Sequence, residues 1–331
     1  MKRALSIGFP ILLAIVVVLA WIGYRSGDQA PIDVVALAER ELGIDLDSSM
    51  VAANGIRLHV IKAGRPDGPP LVLLHGYPEF WWGWRKEIPG LVNAGFRVII
   101  PDGRGYNDSD KPEGVEAYRP EARAQDIISL VKELGYQNVN LAGHDMGAGT
   151  AWLVAIEHPE LLRKLMVFSV GHPLAYAEAA QSKPEQETIS WYRTFFQLPA
   201  LPELVGRFGN WHLLVKNMRA TSRQGTFSDD EMNVYRYAWD HDNAMHYMVN
   251  WYRAGYRYPP ALENRSKVRP PTKIVWGQND AFSEYRVAEL SLKHCEQAEV
   301  TVIPDTSHWL LHEEPVVIAQ MMSDFFKAEG R

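Results

Sequence analysis

The stretch VNLAGHDMGAG, Val139–Gly149, decides the fold, because it joins a short apolar strand to a helix through the pattern G-x-D-x-G. The pattern runs from Gly143 to Gly147 and has Asp145 at its centre. In a nucleophile elbow the turn from strand to helix is so tight that its central residue is strained and projects its side chain, while glycines allow close backbone approach. We predict that Asp145 is a nucleophile. A carboxylate displaces a leaving group from an alkyl carbon and becomes an aspartyl alkyl ester.

Two further residues are needed, a base that activates water and an acid that orients the base. Asp280 follows the apolar run TKIVWG, and His308 follows the run AEVTVI. The order nucleophile, acid, histidine is the order that this layout requires. Because each residue lies just beyond the carboxyl end of a predicted strand, we expect all three to converge. Asn279 cannot hold the charge that stabilises an imidazolium, and we interpret His312 as structural.

Strands alternate with helices along most of the chain, which predicts right-handed crossovers and a mostly parallel α/β sheet. After residue 173 a long stretch rich in Trp, Tyr, Phe and His interrupts this alternation and predicts a helical cap inserted between two strands. The predicted division is an anchor and linker at 1–30, a core at 31–173 and 266–331, and a cap at 174–265. The predicted strands are Ile56–Gly64 at a sheet edge, Leu71–Gly76, Phe96–Gly105, the strand before Asp145, Lys164–Pro173, Thr272–Asp280 and Ala298–Trp309.

The N-terminal segment Ala4–Ile22 contains no charged residue and is long enough to cross a hydrocarbon core of roughly 30 Å as one helix. We predict a single-pass membrane anchor; the alternative is a secretory signal that is cleaved to release a secreted protein. Lys2 and Arg3 precede the segment and only Arg25 follows closely. This bias favours a cytoplasmic N-terminus and an extracytoplasmic catalytic domain.

Composition excludes several partners and sites. The net charge of -6 provides no basic surplus to neutralise phosphates, so we expect no nucleic-acid partner. The single cysteine, Cys295, excludes an intramolecular disulfide and a Cys-rich metal site. The chemistry predicted for Asp145 needs neither a metal nor an organic cofactor.

The sequence HGYP, residues 75–78, follows another predicted strand and offers a backbone donor, the N–H of Tyr77. The N–H of Met146, directly after the nucleophile, is the second predicted donor. Together they would form an oxyanion site for the charge that develops when water attacks the Asp145 ester.

These motifs together resemble the epoxide hydrolase branch of the α/β-hydrolase superfamily. The matching stretches occur in family order and cover about residues 50–328; they are HGYPEFWWGWR, DGRGYNDSDKP, GHDMGAGTAW, NWYRA, WGQNDAF and SHWLLHEEP. The resemblance implies an α/β-hydrolase fold with a helical cap. It also implies a small-molecule epoxide as substrate, hydrolysed to a vicinal diol through a covalent aspartyl ester. The predicted anchor favours a lipophilic epoxide.

The family further implies two cap tyrosines that donate hydrogen bonds to the epoxide oxygen. Tyr252 in NWYRA matches one of them. For the other we favour Tyr192 in WYRTFFQ, although many relatives carry this tyrosine three residues later, where this chain has Phe195. The predicted substrate contacts are Tyr77, Trp81, Phe195 and Trp309.

Hydrolytic dehalogenases share the Asp-His-Asp set and are the alternative. Haloalkane dehalogenases typically have Asn at the position of Tyr77 and Trp at that of Met146, and neither is present. Fluoroacetate dehalogenases place Arg after the nucleophile, where this chain has Met146 and Gly149. Epoxide hydrolases also commonly carry Trp at the position of Met146, so this residue departs from both patterns. A third class, a binding protein that has lost its chemistry, would show broken motifs, and none is broken.

Overall fold

The computed structural model describes residues 31–182, 191–262 and 267–328, and a mixed sheet of eight strands runs through them. The spatial order is β1-β2-β4-β3-β5-β6-β7-β8. Only β2 runs antiparallel to its neighbours, β1 and β4. The mostly parallel sheet predicted from the sequence is therefore confirmed. The strands are β1 Asp47–Ala53, β2 Ile56–Ala63, β3 Pro70–Leu74, β4 Arg97–Pro101, β5 Val139–His144, β6 Leu162–Phe168, β7 Thr272–Gly277 and β8 Ala298–Ile303.

The central strands form because their side chains are apolar on both faces. Every residue of β3 and β5 is buried. Along β3, Leu71 and Leu73 belong to one hydrophobic cluster, whereas Val72 and Leu74 belong to a second. Successive side chains of a strand point to opposite faces, so the sheet separates two hydrophobic layers.

The prediction that Ile56–Gly64 is an edge strand is wrong, because β1 (Asp47–Ala53) pairs along its outer side. The sequence of β1, DSSMVAA, gives little apolar signal, since most of its side chains reach solvent. Asn54 and Gly55 connect the two strands, and both have positive φ, at 51° and 77°. An Asn-Gly pair with these angles is a strong hairpin signal.

Helices cover both faces of the sheet. Residues of α1, α2 and α12 join the first hydrophobic cluster, and those of α3, α4 and α10 join the second. The helices are α1 Val34–Leu42, α2 Ile88–Asn93, α3 Pro120–Glu133, α4 Met146–Glu157, α5 Pro173–Ser182, α6 Trp191–Phe195, α7 Leu201–Ala220, α8 Asp229–Asp240, α9 Ala244–Arg257, α10 Tyr285–Ser291, α11 Leu310–Glu313 and α12 Pro315–Lys327.

Helices α5 to α9 lie between β6 and β7, two strands that are neighbours in the sheet. The chain thus leaves the sheet and returns to the adjacent strand, and we call α6 to α9 the cap helices. Ser228 and Glu231 form a capping box that starts α8. The domain limits at 173/174 and 265/266 stay a prediction.

In the described ranges, no helix combines the length and the apolar character that crossing a bilayer requires. The predicted anchor Ala4–Ile22 lies outside the described residues, as do residues 183–190 and 263–265 of the predicted cap and residue 266 of the predicted core.

Candidate active site

Asp145 occupies the sharp turn between β5, which ends at His144, and α4, which begins at Met146. Its φ of 49° and ψ of -122° are unusual for a residue with a side chain, and such strain concentrates at functional sites. The turn is this tight because Gly147 packs against β3: a Cβ on Gly147 would lie 2.4 Å from the carbonyl oxygen of Leu74. The turn has the geometry of a nucleophile elbow.

The structure brings the three predicted catalytic residues together at the carboxyl edge of the sheet. His308 Nδ1 lies 2.9 Å from Asp280 Oδ2, and His308 Nε2 lies 3.5 Å from Asp145 Oδ2. The other oxygen of Asp280 accepts hydrogen bonds from the backbone N–H groups of Phe282 and Ser283, at 2.8 and 3.1 Å. Asp280 is thereby fixed, and it presents one oxygen to the imidazole.

The charges of this set stabilise one another. Burial lowers the pKa of His308, but Asp280 and Asp145 outweigh it and raise that pKa to about 10. Burial raises the pKa of Asp145, whereas its hydrogen bond and charge interaction with His308 lower it below the ordinary value. The resting site therefore pairs an Asp145 carboxylate with an imidazolium on His308.

The Asp145 carboxylate also meets a backbone donor. The N–H of Tyr77 donates to Asp145 Oδ1 over 2.8 Å. This approach requires Gly76, because a Cβ there would lie 2.4 Å from Asp145 Cβ. Met146 is the first residue of α4, and the first N–H groups of a helix have no acceptor within it. Of the two predicted donors, only Tyr77 makes a hydrogen bond to Asp145 in the described part of the chain.

A cavity of about 550 Å³ extends from Asp145 and His308 to the cap helices, a size that suits a small-molecule substrate. Tyr192 of α6 and Tyr252 of α9 both line it, with ring centroids 5.8 Å apart. Neither hydroxyl has a hydrogen-bond partner among the described residues. Burial, and then the charge of Asp145, raise the pKa of both phenols above the ordinary value. Both therefore stay protonated and can donate a hydrogen bond to a ligand.

Three of the four predicted substrate contacts, Tyr77, Phe195 and Trp309, line this cavity. The prediction for Trp81 is wrong. Its side chain is fully buried and packs against Phe80 and Trp82, and it is not part of the cavity wall. All four residues of the turn Trp81–Trp84 are buried, so the aromatic run in which Trp81 lies belongs to the core.

Sequence reasoning missed a buried polar network behind the site. Glu79 Oε1 accepts hydrogen bonds from the Tyr235 hydroxyl at 2.7 Å and from His312 Nε2 at 2.6 Å. Its Oε2 lies 3.3 Å from Nδ1 of His144, whose Nε2 lies 2.9 Å from the backbone oxygen of His308. Burial raises the pKa of Glu79, but His312 and His144 hold it well below the ordinary value. The sequence signal that could have revealed this network is the presence of polar residues inside otherwise apolar motifs.

Metal binding requires clustered donors. Across residues 31–182, 191–262 and 267–328, no group of three or more His, Cys, Asp or Glu side chains is arranged to hold an ion. We therefore assign no metal ligand.

Residues 69–315 match the family model described as alpha/beta hydrolase fold. The chain is 39% identical over 277 residues to the AB hydrolase superfamily protein YfhM of Bacillus subtilis, covering 84% of this chain and 96% of that protein. It is 32% identical over 284 residues to epoxide hydrolase 4 of Homo sapiens, covering 84% and 78%. Among solved structures, a variant epoxide hydrolase from Bacillus megaterium bound to its naphthyloxy propanediol product superposes with a TM-score of 0.77 at 27% identity, covering 85% and 100%.

Proposed function

The chain belongs to the epoxide hydrolase branch of the α/β-hydrolase fold family, and we propose that it hydrolyses an epoxide to a vicinal diol through a covalent ester on Asp145. One observation carries the proposal. The cavity has a carboxylate paired with a histidine at one end, and two phenols in its wall that have no acceptor in the described part of the chain. The carboxylate attacks a ring carbon, and the phenols donate hydrogen bonds to the ring oxygen as its bond to that carbon breaks.

In the first step Asp145 opens the ring. Its Oδ1 is held by the N–H of Tyr77, so Oδ2 is the attacking oxygen. A bond forms between Oδ2 and the less hindered ring carbon, and that carbon's bond to the ring oxygen breaks. The electron pair stays on the oxygen, which takes a proton from Tyr252 or Tyr192. The ester that forms has Oδ1 as its carbonyl oxygen.

Formation of the ester changes His308. The carboxylates of both Asp280 and Asp145 raise the pKa of His308 in the free site. Because the ester carries no charge, one of these two contributions disappears, and the pKa of His308 falls. The imidazolium can then give up its proton, which restores the Tyr252 or Tyr192 phenol that was deprotonated in ring opening, and the neutral ring becomes the base that the second step needs. Asp280 continues to orient the ring and to stabilise its charge.

In the second step water hydrolyses the ester. His308 takes a proton from water, and the water oxygen bonds to the ester carbonyl carbon. The negative charge that develops on Oδ1 meets the N–H of Tyr77, already 2.8 Å away, and the N–H of Met146. Collapse of this intermediate breaks the bond between the carbonyl carbon and the diol oxygen. The diol leaves with the proton from His308, and Asp145 retains the oxygen of the water. The remaining proton of that water passes from the Asp145 carboxyl to His308, which restores the resting pair of carboxylate and imidazolium.

The experiment that tests this function gives the full chain two kinds of substrate, an aryl epoxide such as styrene oxide and a haloacid, and measures diol and free halide. We expect diol from the epoxide and no halide. An Asp145→Asn variant is the matched control and should form neither product. Halide release without diol would assign the same residues to a dehalogenase instead.

A further inference from the structure

An apolar surface lies on the outside of the cap. Five large side chains between residues 198 and 213 are each 43–47% exposed: Leu198, Leu201, Leu204, Phe208 and Leu213. Leu201, Leu204 and Phe208 are spaced i, i+3 and i+7, so they share one face of the first helical part of α7, which ends at a kink over residues 208–211. We call these five residues the apolar rim. Exposed apolar residues are normal when scattered singly, whereas a contiguous group marks an interaction surface.

The apolar rim meets the substrate cavity at Leu213. Leu213 is exposed to solvent and also lines the cavity, so the cavity reaches the surface at the rim. Other residues of α7 form the adjoining wall, namely Pro202, Val205, Gly206, Leu214, Asn217 and Met218. The segment Leu201–Ala220, two helical parts joined by a kink at residues 208–211, thus presents apolar side chains both to the cavity and to the exterior.

The net charge of residues 191–220 of the cap is positive, whereas that of the whole chain is negative. The protein has a net charge of -6, yet residues 191–220 contain Arg193, Arg207, Lys216 and Arg219 and only one acidic residue, Glu203. Glu203 forms ion pairs with Arg253 and His246. Arg207 and Arg219 pair with Asp240 and Asp229 of α8, so Arg193 and Lys216 provide the remaining basic charge of this segment. Apolar side chains together with such charge suit an anionic lipid surface.

The described chain begins on the same side of the molecule. Arg85 binds both Glu41 of α1 and Glu231 of the cap helix α8. Asp33, at the start of α1, is close enough to α8 to interact with Tyr237 of that helix. Burial raises the pKa of Tyr237, and nearby carboxylates, including that of Asp33, raise it further. The described chain therefore begins beside the cap.

Helix α8 in turn packs on α7. Trp211 contacts Trp239 with ring centroids 5.6 Å apart, and Arg207 pairs with Asp240 at 3.1 Å. The uncharged segment Ala4–Ile22 precedes α1 in the sequence, and residues 23–31 can span at most roughly 30 Å. A linker of this length sets an upper limit on the distance between that segment and α7.

We propose that the apolar rim rests on a lipid bilayer into which Ala4–Ile22 inserts, so that the cavity opens toward the lipid. A lipophilic substrate then reaches Asp145 directly from the membrane. The route of the substrate rests on the proposed function, whereas contact between the rim and lipid does not, and the two can be tested separately.

The test places a fluorophore in the full chain at two exposed positions, Leu204→Cys in the rim and Asp67→Cys as control. Asp67 precedes the amino end of β3, at the opposite edge of the sheet. Burial raises the pKa of the Cys295 thiol to about 12, so a bimane label goes to the introduced cysteine. The labelled proteins are mixed with phosphatidylcholine–phosphatidylserine vesicles that carry a nitroxide on the lipid chain near the headgroup.

We expect the nitroxide to quench the label at residue 204 about threefold and to leave the label at residue 67 nearly unchanged, because an interfacial face enters the lipid by only ~5–10 Å. Equal quenching at both positions, or no association with vesicles, would overturn the proposal. A change at residue 204 that depends on protein concentration without vesicles would also overturn it, because a second copy would then cover the rim.

A second variant keeps the proposal testable if the label disturbs the surface. Leu204→Glu combined with Phe208→Glu changes two rim residues that do not line the cavity. Turnover of a water-soluble epoxide should stay unchanged, while turnover of an epoxide dissolved in vesicles should fall about tenfold. Equal rates for both substrates would contradict the route from lipid, and vesicle contact would still be decided by the quenching.

Discussion

Replacement of Tyr252 by Phe removes one hydroxyl from the cavity wall and nothing else. The hydroxyl is buried and has no partner among the described residues, so its loss leaves no polar group unsatisfied, and the melting temperature should stay within about 2 °C. During ring opening, by contrast, the developing alkoxide loses one of two donors. Loss of one such donor reduces kcat by about 10²-fold, equivalent to about 2.7 kcal/mol.

The assay is a single-turnover experiment that follows formation of the ester separately from its hydrolysis. We expect Tyr252→Phe to slow ester formation by about 10²-fold and to leave hydrolysis within about threefold of the parent rate. Tyr256→Phe is the matched control, because Tyr256 lies on the same helix, is 61% exposed and does not line the cavity. Ester formation that changes less than threefold in Tyr252→Phe would refute the role of the phenol.

Three further predictions concern buried carboxyl groups. Asp280→Asn removes a charge that raises the pKa of His308, so ester hydrolysis should slow by about 10²- to 10⁴-fold in rapid-quench measurements, with its pH midpoint moved to lower pH. Glu79→Gln breaks a buried network and should lower the free energy of unfolding by on the order of 3 kcal/mol. The pKa of Glu79 is depressed in the folded protein, so denaturant titrations should show the full loss at neutral pH. The loss should become smaller as the pH falls below about 4.5. Glu87 is fully buried with neither carboxyl oxygen hydrogen-bonded in the described structure, and its pKa is raised well above the ordinary value. Glu87→Gln should therefore unfold at a higher temperature than the parent. The difference in free energy of unfolding should grow as the pH rises above about 4.5, by up to ~1.4 kcal/mol per pH unit.

Each of these has an outcome that contradicts it. For Asp280, a pH midpoint that stays in place while the rate falls would show that its charge does not act on His308. Glu116→Gln is the control for Glu79, since Glu116 is exposed and pairs only with Arg119 in the described structure; an equal loss of stability in both variants would be inconsistent with a buried network. For Glu87, a stability difference that does not vary with pH would mean that its carboxyl ionises normally.

The parts of the site that the sequence predicts are those fixed by local geometry. Asp145 can be placed because a strand, two glycines and a helix confine it to one kind of turn. Asp280 and His308 follow from parallel strands, whose carboxyl ends share one edge of the sheet. These constraints act within a few residues, or through the direction of the strands alone.

Other features depend on contacts between distant segments and leave weak local signals. Glu79 meets Tyr235 across 156 residues and His312 across 233, so no short motif reveals that they touch. Trp81 shares its aromatic run with residues of the core, and only the packed structure shows that it does not line the cavity. Strand β1 is polar because it lies at the sheet edge, and apolar periodicity cannot find it.

The mass of the protein during turnover tests most directly whether Asp145 is the nucleophile, provided that the base His308 has been replaced. His308→Gln retains Asp145 and both phenols but cannot activate water. After incubation with styrene oxide, we expect a mass increase of one substrate per chain, located on the peptide that contains Asp145. The increase should be absent when Asp145→Asn is added to the same variant. An unmodified protein, or an adduct at another residue, would contradict the claim that Asp145 is the nucleophile.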